Sequence, residues 1–99
     1  VLDRHPDADA MVFASDVFSS GALLACTRRG IPVPDRLAIT GFGDSDIAAH
    51  LVPSLTTVAV PTKKIGALAG SLLLERMQRR PVTEKVRDVG FRLVPRESS

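Results

Sequence analysis

A single cysteine, Cys26, leaves no partner for an internal disulfide. It sits inside an apolar helical pattern, reads as a small core residue rather than a nucleophile, and suits a reducing compartment. No apolar run approaches the ~20 residues that a helix needs to cross a bilayer, which removes a helical membrane span from consideration. Nor is there a large excess of one charge, since 13 basic side chains face 11 acidic ones for a formal net charge of +2. Apart from Arg28-Arg29, Lys63-Lys64 and Arg79-Arg80 the basic residues are scattered, so a surface that reads nucleic acid has to lie elsewhere. His5 and His50 stand alone, without a second histidine or cysteine at ligand spacing, and neither a metal nor another cofactor is expected. There is no G-x-S-x-G elbow, no serine, histidine and aspartate set that spacing can assemble, no internal repeat and no low-complexity segment. Catalysis is therefore not expected.

What is present is ordinary for a globular chain: 44% hydrophobic and 24% charged residues in 99. A chain this short buries only ~60–70% of its unfolded surface, so it forms one small domain or a piece of a larger one. The opening VLDRHPDADA resembles the last turn of a helix already in progress, which suggests a chain entered midway.

Met11, Val12, Phe13 and Ala14 form an uninterrupted apolar run, the mark of a strand covered on both faces. Ser15 or Asp16 caps the helix that follows, Val17 to Arg29, because a short oxygen-bearing side chain accepts its free amide hydrogens. Phe18, Ala22, Ala25 and Cys26 are placed toward the sheet, with Ser20, Leu24 and Thr27 on a second face. Gly30 ends the helix, and Pro32 and Pro34 keep the chain extended up to a second strand, Leu37 to Thr40. Strand, helix and strand at this spacing make a right-handed βαβ unit. A short helix from Asp44 or Ser45 to about Leu51, a third strand Leu55 to Val60 and a long helix Pro61 to Arg80 follow. Val86 to Val89 and Phe91 to Val94 read as two last strands, and Pro95 to Ser99 as a polar tail. The fold class is α/β, a parallel sheet with flanking helices.

In such sheets ligands lie beyond the carboxyl ends of the strands, where Ser15, Asp16, Phe42, Gly43, Asp44, Ser45 and Asp46 gather. Gly41 and Gly43 begin a dinucleotide fingerprint, but Asp46 occupies the third glycine position and would repel a pyrophosphate. Hydroxyls and carboxylates beside an aromatic ring suit a polyhydroxylated small molecule, whose hydroxyls need partners once water is excluded. Asp16 is assigned first to capping, Ser15 to the ligand, and Asp44 is open between the two.

The stretch FASDVFSSGALLACTRRGIPVPDRLAITGFGDSDIAAHLVPSLTTVAVP, followed by the ending FRLVPRESS, resembles the effector-binding domain of the lactose-repressor (LacI/GalR) family of bacterial transcription regulators. The motifs VPD, GF-x-D, P-x-LTTV and LV-x-R-x-S occur in that family's order, from about Ala10 to Ser99. The resemblance implies a partial periplasmic-binding-protein-like fold, two-lobed in the full-length protein. Residues of about 1–55 and 86–99 would belong to the second lobe and the helix of about 61–80 to the first, with the DNA-reading head upstream. It implies a small sugar or sugar acid as effector, an allosteric change in operator affinity, and a cytoplasmic homodimer.

Carried over position by position, the resemblance places Ser15, Asp16, Phe42, Gly43, Asp44, Val60 and Thr62 at the effector. Ser15 stands where many relatives have Asn, and Gly43 where many have the Asp that holds a sugar hydroxyl. GFGD is similar to the form in gluconate-type regulators, and a missing carboxylate lessens repulsion of an anion. Ser20, Leu24, Thr27, Ile47, Ala48 and Leu51 are placed at the dimer contact. A sugar-binding protein of a transport system, working in the periplasm, is the alternative on the same lobes.

Overall fold

The computed structural model describes residues 1–99. Strand β1 (Ala10–Val12) runs parallel to β2 (Ala38–Thr40), with Met11 opposite Ile39, and helix α1 (Asp16–Arg29) makes the crossover between them. A parallel bridge from Thr40 to Thr56 brings in β3 (Thr57–Ala59). This pairing continues past the end of β2, because the amides of Gly41 and Gly43 donate to the carbonyls of Thr56 and Val58 at 2.9 and 2.8 Å. On its other side β3 pairs antiparallel with β4 (Arg92–Val94), Val58 opposite Leu93. The result is the expected α/β class, with strands shorter than the apolar runs that mark them.

Helix α1 is capped by Ser15, not Asp16. The Ser15 backbone is extended (φ −157°, ψ 140°) and its Oγ accepts the Val17 amide at 3.2 Å. Gly30 closes the helix in the left-handed region (φ 65°), its amide donating to the Cys26 and Thr27 carbonyls, while Arg28 and Arg29 complement the dipole of the last turn. The buried face is Asp16, Ser19, Leu23 and Cys26. Phe18 (68% exposed) and Ala25 accordingly point away from the sheet, against expectation. A face that turns Asp16 inward at the first turn cannot also bury Phe18 two residues on. Leu23 and Cys26 pack with Leu37, Ile39, Ala48 and Leu55 in one core. Burial pushes the Cys26 thiol pKa up, against the opposing charge of Arg29, which is the state of an inert core thiol.

The short helix expected from Asp44 shrinks to one 3₁₀ turn, Ala48–His50. Gly43 (φ 121°) and Asp44 (φ 51°) hold backbone angles that no right-handed helix can begin with. Ala48 is fully buried in the core, which removes it from any dimer surface.

The polar tail is not loose. Ser98 is fully buried, its Oγ donating to the Ile39 carbonyl and accepting the Thr56 amide at 2.9 Å. Its own backbone bonds both Ser54 and Ile39, so it stitches β2 to the segment leading into β3. Glu97 accepts from the Ser54 hydroxyl at 2.8 Å, which together with the Ser54 amide lowers the Glu97 carboxyl pKa. Four polar residues thus replace strand pairing where the chain is too irregular to supply it.

These elements belong to one unit, Val1–Ala59 with Arg92–Ser99; the other is Val60–Phe91. The second carries α2 (Thr62–Met77), with Pro61 just ahead of the helix rather than inside its first turn. No residue of α2 is buried, and Leu73 and Met77 are exposed. Val86 to Val89 form no strand: the segment pairs with nothing, and Val86 is 88% exposed. Arg87 and Asp88 between the valines provide no second apolar face to cover.

Two glycines on either side of the α1–β2 contact separate space from strain. A Cβ on Gly41 would fall onto Asp16 Oδ1 and lie 2.6 Å from Ser19 Oγ, whereas one on Gly21 meets nothing within 4 Å. In urea titrations Gly41→Ala is expected to cost about 1–3 kcal/mol, and Gly21→Ala, in a helix interior, to add about 0.5–1 kcal/mol. Equal effects would refute the close approach. By the same titration, Ser98→Ala is expected to cost about 1–3 kcal/mol, since it strands a buried amide and a buried carbonyl; a neutral result would mean that the tail is not held by this hydroxyl.

Candidate functional site

The carboxyl ends of β1 and β2 bring Ser15 and Asp16 beside the turn Phe42 to Ser45, and the Asp16 amide donates to the Phe42 carbonyl at 3.0 Å. The Asp16 side chain is the centre of this corner. It is 2% exposed; Oδ1 accepts the Thr57 hydroxyl at 2.6 Å and Oδ2 the Ser45 amide at 2.7 Å. Thr57, fully buried, receives the Asp44 amide in turn at 3.3 Å. Asp16 therefore neither caps α1 nor faces outward; its two oxygens are engaged with β3 and the turn.

Asp44 is also engaged. Its Oδ1 accepts Arg96 Nη2 at 2.8 Å, with the two side chains 25% and 18% exposed. Its backbone is left-handed, so it does not cap a helix; it holds the turn by an ion pair. Asp16 is closed to a ligand by its burial and its two donors, whereas Asp44, bonded through Oδ1 alone, keeps Oδ2 for a further donor. Left at the surface of the corner are the Ser15 hydroxyl, half-buried and loosely tied to its cap bond, the Phe42 ring (45% exposed), the Gly43 backbone and the exposed Asp46. A hydroxyl, an aromatic face and a left-handed backbone corner can hydrogen-bond and stack against a small polar ring.

Val60 and Thr62 lie in the other unit, half-buried and exposed respectively, with the Thr62 amide donating to the Val60 carbonyl at 2.8 Å. Of the residues placed at a dimer contact, Leu24 (63%) and Ile47 (54%) are exposed, as is Thr27. Leu51 packs against the core, and the Ser20 hydroxyl is turned back to the Asp16 carbonyl at 2.6 Å. Leu24, Ala25 and Thr27 line a shallow groove along α1.

Two residues of the corner escape sequence reasoning. Thr57 carries a signal, because a threonine pair inside the apolar LTTVAV needs buried partners. Arg96 is the arginine of the LV-x-R-x-S motif, but nothing local names its partner, which lies 52 residues away.

The whole chain, residues 1–99, matches the family model of the periplasmic binding protein-like domain. The HTH-type transcriptional regulator GntR of Pseudomonas aeruginosa is 35% identical over 99 residues, which cover 100% of this chain and 29% of that protein. Among solved structures, the transcription regulator GntR from Chromobacterium violaceum superposes with a TM-score of 0.86 at 43% identity, over 99% of this chain and 36% of that one. The transcriptional regulator CelR, solved in complex with cellobiose, gives a TM-score of 0.88 at 38% identity, over 99% and 30% of the respective chains. The chain thus spans less than a third of the length of the curated relative described. These relatives are regulators, which leaves the transport-protein alternative without support. Matched along its entire length, the chain belongs to the periplasmic binding protein-like domain family, and its relatives are LacI-type transcription regulators.

Proposed function

We propose that this chain is the effector-sensing and dimerisation part of a bacterial LacI-type transcription regulator that works in the cytoplasm and reaches operator DNA through an upstream domain. The observation that carries the reading is the corner itself: Ser15, Phe42 and Gly43 meet at the carboxyl ends of parallel strands, where α/β sheets take ligands. Regulator relatives and the cellobiose complex of one of them support a sugar-like effector. Ser15, the Phe42 ring, Gly43 and Asp44 are the groups proposed to touch it, with the buried Asp16 setting their geometry. Val60 and Thr62 are proposed as effector-facing positions of the second unit, on the family resemblance.

The effector is proposed to be a sugar acid or a neutral sugar, with the acid favoured by charge. Gly43 contributes no carboxylate, Asp44 is countered by Arg96, and Asp16 is buried against two donors. Binding that stabilises one conformation of the regulator over another changes operator affinity by population shift. The mechanism is switching, and it requires no bond to break.

With the full-length regulator, calorimetry is expected to rank gluconate above glucose, and Ser15→Ala to raise the gluconate dissociation constant about five- to tenfold. Unchanged affinity would take Ser15 out of the site, and a reversed ranking would exclude the acid. For the dimer, Leu24 and Ile47 are the exposed apolar residues. The double variant Leu24→Glu with Ile47→Lys is expected to give monomers by light scattering; a persistent dimer would place the contact elsewhere.

A further inference from the structure

Arg96 reaches the Phe42–Ser45 turn from the far end of the chain, and every part of it is anchored. Its backbone amide donates to Thr56 Oγ1 at 2.8 Å and its carbonyl accepts from the same hydroxyl at 3.2 Å. Of its guanidinium nitrogens, Nη1 donates to the Leu55 carbonyl at 3.0 Å and Nη2 to Asp44 Oδ1 at 2.8 Å. An arm fixed at backbone and tip has little freedom left to lose, and a planar fork can serve both acceptors where an ammonium could not hold both in that geometry. The Arg96–Asp44 pair is mostly shielded, at 18% and 25% side-chain exposure, so salt screens it less than an open surface pair.

On the other end of this bond is backbone strain. Asp44 sits at φ 51°, a region that non-glycine residues rarely occupy and that needs the surroundings to hold it. Asp16 grips the same turn from the opposite side through the Ser45 amide. The turn is therefore clamped at consecutive residues by a buried acid and by a base from the last residues of the chain. We propose that Arg96 is the positioning residue of the Gly43–Asp44 corner: it keeps Asp44 in its left-handed turn and offsets its charge, so that the corner meets a ligand preformed. The ligand half of this assignment rests on the effector reading above; the positioning half does not.

Amide hydrogen exchange and gluconate calorimetry on the full-length regulator test both halves. Arg96→Gln is expected to speed exchange at the Asp44 and Ser45 amides about tenfold, the loss of one charge-assisted hydrogen bond, with α1 amides unchanged. Arg96→Lys should recover part of the protection. Asp44→Asn keeps the Arg96–Leu55 bond and tolerates the left-handed turn, so it removes only the charge; about three- to fivefold faster exchange is expected. Unchanged exchange at Asp44 and Ser45 in Arg96→Gln would overturn the proposal whatever binding does, as would acceleration spread equally over α1. Local loosening with weakened gluconate binding supports both halves. Local loosening with undiminished gluconate affinity would overturn Arg96 as a positioning residue for the ligand. Local loosening in a regulator whose unmodified form binds neither gluconate nor glucose would sink the effector reading and leave the clamp on the turn standing.

Discussion

The carboxylate of Asp16 is the constraint around which the first unit is arranged. Removing a charged carboxylate from water costs several kcal/mol unless donors replace the lost hydration. Here the Thr57 hydroxyl and the Ser45 amide do so, and the position in the first turn of α1 adds a favourable dipole. Each donor comes from a different element, so satisfying one buried group fixes where α1 begins, how β3 lies beside β2, and which path the turn after β2 takes. Gly41 belongs to the same constraint, because any side chain there would occupy the space that Asp16 and Ser19 fill.

Because Asp16 turns inward, Ser15 is left to cap the helix, and the cap leaves its hydroxyl at the edge of the corner rather than inside the core. The same inward turn sends Phe18 into solvent, where it gains nothing from the sheet. Serine and aspartate are equally good caps, so the residue types of SD could not say which would do it. Only burial decides, and burial is a property of β3, more than forty positions further on.

That pattern separates what was legible from what was not. The strand-helix-strand order, the end of α1 at Gly30 and the long helix after Pro61 all follow from local signals: apolar runs, helical spacing, a glycine able to turn left-handed. The polar tail, the corner's ion pair and the buried face of α1 do not, since each depends on a partner remote in sequence. Ser98 looks like the end of a soluble tail and is fully buried; Ala48 looks like part of a surface helix and is in the core. The short helix after Asp44 failed for a different reason. Two successive left-handed residues cannot start a right-handed helix, and an aspartate, unlike a glycine, does not announce that angle.

The charge of the corner follows from these partners and bears on what it can bind. A free carboxylate about 6 Å from an anionic ligand, at an effective dielectric near 20, would oppose binding by about 3 kcal/mol, on the order of a hundredfold in affinity. Counted as residues, the corner holds three aspartates, Asp16, Asp44 and Asp46, and looks hostile to an anion. Counted with partners, it is less so: Asp44 is paired with Arg96, Asp46 stands open to water, which screens it, and Asp16 keeps its charge behind two donors inside the fold. A corner whose exposed carboxylates are paired or screened repels an anionic ligand less than its three aspartates suggest.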